Sequence, residues 1–113
     1  MNFKDYEDRA LATAVYKDKG KNFTYTVLGL TGEAGEVADK YKKIIRVPEY
    51  IPNRSFTEEE KKVILLELGD VLWYVAACAY ELGSGLDEVA NMNLGKLASR
   101  KDRGVLHGSG DNR

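Results

Sequence analysis

The chain has 113 residues, with 17 basic and 18 acidic side chains and a formal net charge of −1. That length suits one domain, but it is short for covering a long central helix on every side without a second copy. The balanced charge excludes the global basic field that drives nucleic-acid binding. A single cysteine, Cys78, excludes an internal disulfide and fits a reducing, cytoplasmic setting; a single histidine, His107, excludes a His-rich metal centre.

The first residues, Met1 to Arg9, lack the apolar stretch of a signal peptide. Residues 2–18 read as a first helix, with Phe3, Tyr6, Ala10 and Ala14 at helical period and Leu11 and Val15 beside them. A charged break around Gly20 follows. Residues 23–47 read as a second, longer helix whose apolar face is Leu30, Ala34, Val37, Tyr41 and Ile44. Gly29, Gly32 and Gly35 each cost about 1 kcal/mol relative to Ala inside a helix, so they predict close approach of another helix or a ligand along that edge. At about 100° per residue, Glu33, Glu36, Lys40 and Lys43 fall on one ionic stripe flanking the apolar face.

Pro48 ends this helix and Pro52 keeps the following stretch a loop. Thr57-Glu58-Glu59-Glu60 is a capping box, with Thr57 as N-cap and Glu60 at N3. A third helix then runs over about 58–82. Between Val63 and Tyr80 its only ionisable acids are Glu67 and Asp70. It does not read as a membrane span, because those acids and Gly69 interrupt the apolar run. Gly83-Ser84-Gly85 stops it. A fourth helix starts near Leu86, with Asp87 and Glu88 favourable in its first turn, and continues to about Lys101. On it Asn93, Lys96 and Arg100 lie within roughly 60° of one another, a donor set suited to a polyphosphate. The predicted fold is all-α, a four- to five-helix bundle, with residues 1–103 as a single helical domain. Residues 104–113 form a C-terminal tail, a lid or a disordered segment.

The chemistry centres on the third helix. Carboxylates at i and i+3 share a face, and in apolar surroundings they need a partner or a metal. Two helices each carry such a pair, Glu33/Glu36 and Glu67/Asp70. Antiparallel packing lets all of them converge, where mutual repulsion raises their pKa values. A hard divalent cation removes the repulsion; oxygen donors without His or Cys suit Mg²⁺ or Mn²⁺, and Mg²⁺ is usually shared with substrate phosphates. A purely structural ionic network is the competing reading.

Gly32-Glu-Ala-Gly-Glu36, then Glu67-Leu-Gly-Asp70 followed by Val-Leu-Trp-Tyr74, then Asn93-x-x-Lys96-Leu, resembles the MazG-like all-α nucleoside triphosphate pyrophosphohydrolases over roughly residues 22–101. The resemblance implies conversion of a (d)NTP to (d)NMP and pyrophosphate, Mg²⁺ held by Glu33, Glu36, Glu67 and Asp70, and a homodimer or homotetramer with sites near helix–helix interfaces. It places Tyr74, Asn93 and Lys96 at substrate-contacting positions. Glu36 and Glu67 are the expected catalytic carboxylates, with Lys96 and Arg100, and also Lys40 and Lys43, on the phosphates. The base is expected among Phe23, Tyr25 and Trp73. No nucleic acid or membrane partner is expected. The chain departs from many members after Arg100, where a Tyr-Pro-x-Gly element is replaced by Lys-Asp-Arg-Gly and the rest of the tail. Narrower relatives remain open: a dimeric-type dUTPase or dCTP pyrophosphatase, or a phosphoribosyl-ATP pyrophosphohydrolase. So does a non-catalytic helical partner-binding bundle. The apolar surface around Leu66, Trp73 and Ala77 is the expected subunit interface.

Overall fold

The computed structural model describes residues 1–113 as four α-helices without a strand: α1 (Phe3–Leu11), α2 (Phe23–Ile45), α3 (Glu58–Glu81) and α4 (Leu86–Asp102). Helices α2 and α3 form the main antiparallel pair, joined by the 46–57 loop. Gly29 meets Tyr74 and Lys40 meets Glu67, so position advances along one helix as it retreats along the other. α1 lies across α3, and α4 packs on α1 and α3 without touching α2.

Each boundary has a local cause. Asn2 and Asn22 cap α1 and α2 by accepting from the backbone N–H groups of Asp5 and Tyr25. The capping box of α3 forms as the sequence predicts, and Arg54 grips the same Glu60 carboxylate with both terminal nitrogens, at 2.9 and 2.7 Å. α3 ends in a Schellman turn. Gly83 takes φ +71°, its N–H donates to Tyr80 O and the Ser84 N–H donates to Ala79 O. Gly85 offers α4 no capping side chain. Glu7, from α1, supplies the cap instead by accepting from the Leu86 N–H.

α1 is shorter than the predicted 2–18. The apolar stripe continues to Ala14 and Val15, but only Ala14 is buried, from within the turn that follows, whereas Val15 is 91% exposed. The Thr13 hydroxyl and the Trp73 indole N–H both donate to Ala10 O and close the helix there. Residues 12–22 then form a turn pinned to the C-terminal end of α3. Glu81 accepts from the Tyr16 hydroxyl at 2.7 Å and from the Gly20 and Asn22 N–H groups.

The chain by itself is open. Only Ala10, Ala14, Ala76, Ala77, Ala79 and Leu86 form its buried apolar core. The radius of gyration is 17.3 Å, against about 13 Å for a compact chain of this length. The N-terminal half of α3 leaves Leu65 and Leu66 mostly exposed within the single chain, Leu66 belonging to the surface expected as a subunit interface. By length and composition α3 would suffice to cross a membrane; here its flank lies along α2 instead.

A candidate active site between the two long helices

The antiparallel pairing brings one α2 acid against both α3 acids. Carboxylate oxygens of Glu33, Glu67 and Asp70 lie within 4.8 Å of one another. Burial, then the charges of Asp70, Glu67 and Glu36, push the Glu33 carboxyl up from its ordinary value. That repulsion within an all-oxygen set is the condition a hard divalent cation relieves, so the donors fit such an ion. Asp70 is exposed and Glu67 half-buried, so the pair is more solvated than the apolar run around it implies.

Glu36 shares this flank and adds its charge to Glu33, but it is exposed and stays outside the cluster. Lys40 Nζ reaches across the helix pair to Glu67 Oε1 at 3.6 Å, the one cation to join the cluster. Lys43 is turned away to Asp39, at 2.8 Å. With Lys42 it holds the Asp39 carboxyl down at about 2.

Tyr74 forms the wall beside the acids. Its ring presses so closely on α2 that a Cβ at position 29 would sit 2.0 Å from a ring carbon, which accounts for Gly29. Gly32 and Gly35, on the same edge, face open space. The neighbouring Tyr25 hydroxyl, then burial, then the Glu33 and Asp70 charges push the Tyr74 hydroxyl up to about 12, so it remains a donor. Tyr16 stacks on Tyr25 with centroids 5.0 Å apart, and Trp73 meets Tyr74 edge-on at 4.8 Å. Against this aromatic group opens a cleft of about 320 Å³ lined by Thr13, Glu33, Asp70, Trp73 and Tyr74. A second hollow of about 380 Å³, lined in part by Tyr6 and Arg9, shares Thr13 and Trp73 with it. Burial and the Asp70 charge also raise the Tyr6 hydroxyl.

Thr13 and Tyr6 were not expected at the site. Tyr6 reads as core in a helical stripe, and Thr13 is concealed by the assumption that the helix runs on to 18. The available signal was Trp73, whose indole N–H needs an acceptor when covered; it donates to both Ala10 O and Thr13 Oγ1. Of the aromatic residues expected around the base, Trp73 lines the cleft and Phe23 and Tyr25 do not. Asn93, Lys96 and Arg100 lie on α4, apart from α2 and its acid. Asn93 is exposed, and Lys96 and Arg100 both engage Asp111 of the tail.

A family model described as the MazG nucleotide pyrophosphohydrolase domain matches residues 21–105. The chain is also similar to the protein named "Gene 37 protein" of Mycobacterium phage L5, 45% identical over 118 residues that cover all of both chains. No solved structure matches.

Proposed function

The chain belongs to the MazG nucleotide pyrophosphohydrolase family, and from that premise we propose that it hydrolyses a nucleoside triphosphate to the monophosphate and pyrophosphate with Mg²⁺. The observation that carries this reading is the convergence of Glu33, Glu67 and Asp70, two of which, Glu33 and Asp70, line a cleft with Trp73 and Tyr74. Carboxylates alone would repel a polyphosphate, so a cation between acids and phosphates is what makes the two compatible.

In this reading Glu33, Glu67 and Asp70 would hold the ion, which when bound would supply positive charge against the phosphates and Lewis acidity. Lys40 beside Glu67 offsets part of the acidic field and meets the phosphates from α2. Glu36, exposed and outside the cluster, takes the proton from the attacking water. Tyr74 donates its hydroxyl hydrogen to the sugar or a phosphate oxygen. The base lies against Trp73, the one of the three expected aromatic side chains that lines the cleft. Lys96 and Asn93 reach phosphates in an oligomer, where α4 of one copy approaches the acids of another.

The test is pyrophosphate release from a panel of (d)NTPs with and without Mg²⁺. Release that depends on Mg²⁺ and falls by about a thousandfold in Glu67→Gln is the expected result. Undiminished turnover in Glu67→Gln would overturn the assignment. The panel also separates a broad enzyme from one confined to dUTP or dCTP.

A further inference from the structure

We infer that Asp111, in the C-terminal loop, is a positioning residue that holds Lys96 ready for the substrate phosphates; this rests on the phosphate role proposed above for Lys96. The loop that carries Asp111 is built rather than loose. Gly104, at φ +69°, closes α4 in a second Schellman turn, with Gly104 N–H donating to Lys101 O and Val105 N–H to Arg100 O. The chain then returns toward α4, and the Arg113 guanidinium ties it into a ring. Its nitrogens donate to the carbonyls of Val105, Gly110 and Leu106 at 3.1, 2.7 and 3.2 Å.

Arg100 anchors this ring. Its side chain is 7% exposed, and Nη2 faces Gly110 O, Asp111 O and Asp111 Oδ1 at 3.4, 3.3 and 3.2 Å. Its Nε is buried without a partner. A guanidinium so enclosed serves the loop and is not free to grip a phosphate from solvent. Lys96 differs. Its side chain is 40% exposed, and its ammonium lies 3.2 Å from the same Asp111 Oδ1. An ammonium has three donors. One spent on Asp111 leaves the others for a ligand, and two cations against one carboxylate leave the trio net positive. A free lysine loses much rotamer freedom when it binds a phosphate; one already tethered loses less. Lys96 and Arg100 hold the Asp111 carboxyl below its ordinary range, as two cations beside one carboxylate should.

Calorimetric titration of the full chain with Mg-tripolyphosphate tests this without requiring turnover. Lys96→Ala and Asp111→Ala should each weaken binding by about threefold to tenfold, and the double variant should bind no more weakly than Lys96→Ala alone. Asp111→Glu should restore most of the loss, and with the (d)NTP found by the panel Asp111→Ala should raise KM with little change in kcat. Binding that is unchanged or tighter in Asp111→Ala would overturn the inference, the second because it would make Asp111 a competitor of the phosphates. Independent, additive losses would also overturn it, by assigning Asp111 to folding alone. If Lys96→Ala binds normally, the phosphate role of Lys96 falls and the inference with it; if only Asp111→Ala binds normally, that role stands and the inference fails. The Asp111 side chain is 84% exposed, so its replacement should leave the helices folded.

Discussion

At the scale of single residues, the three glycines of α2 make the sharpest contrast. Each should gain up to about 1 kcal/mol of helix propensity on replacement by Ala. At position 29 the added Cβ would lie 2.0 to 2.6 Å from three carbons of the Tyr74 ring, with the rigid ring unable to bend away. Gly29→Ala should therefore destabilise by about 1–3 kcal/mol, the usual range for overpacking, and displace Tyr74 from the cleft. Gly32→Ala and Gly35→Ala meet no atom within 4 Å in the chain, and should raise the melting temperature of an isolated chain. Thermal melts of the three variants check the ordering; a loss at 32 or 35 would reveal a neighbouring copy on that edge. The spacing of the glycines suggested one shared reason for all of them, whereas only Gly29 has its contact within the chain. Sequence periodicity locates a helix face but not which turns of it are covered. The same limit explains why Glu36 and Lys43 shared a stripe with Glu33 and Lys40 yet lie outside the cluster. One turn along a helix is enough to exchange a cross-helix partner, Glu67, for a local one, Asp39.

At the scale of elements, the helix starts were legible where the capping groups are local and hidden where they are not. Thr57 and Glu60 cap α3 from within four residues, and the pattern was visible. α4 is capped by Glu7, 79 positions away, which no local pattern contains. Glu7→Ala should leave the Leu86 N–H without its partner and cost about 1 kcal/mol, the usual loss for an N-cap, with a fall of about 5 °C in Tm. The first sign of that loss should be faster amide exchange in the first turn of α4. The ion pair at the entry of α3 has a pH signature. Arg54, then the Thr57 N–H, hold the Glu60 carboxyl down from 4.5 to about 2. A carboxyl depressed in the folded state stabilises fully above its unfolded value. That contribution is lost as pH falls from about 4.5 toward 2. Glu60→Gln should thus lower stability at neutral pH and flatten the acid limb of a stability–pH curve. Equal acid slopes in the two proteins would show that the pair does not act in solution.

At the scale of the whole molecule, the helices were predictable in number and order, and so was the shortage of cover for α3, but not which of its faces the chain itself covers. An apolar run shows that a helix will be covered, not whether its own chain or another copy covers it. The structure exposes 8255 Å², roughly 2,000 Å² more than the ~6,200 Å² expected of a compact chain of this size. That excess is ample for one standard interface, which takes about 800 Å² from each partner. The expected interface around Leu66, Trp73 and Ala77 is only partly available. Ala77 is fully buried within the chain and Trp73 is committed to α1, whereas Leu66 is 63% exposed. Leu65 on the same helix and Leu94 on α4 are exposed to similar degrees, 65% and 63%. A self-association that buries these leucines is apolar and should resist salt, and it would bring α4 of one copy toward the acids of another. Sedimentation of the purified protein should show a dimer or tetramer that persists in high salt. Leu66→Glu and Leu94→Glu should shift it toward monomer and reduce hydrolysis together, because separated copies would leave Lys96 and Asn93 apart from the carboxylate cluster. A monomer that turns over at full rate would break that connection and require α4 to reach the acids within one chain.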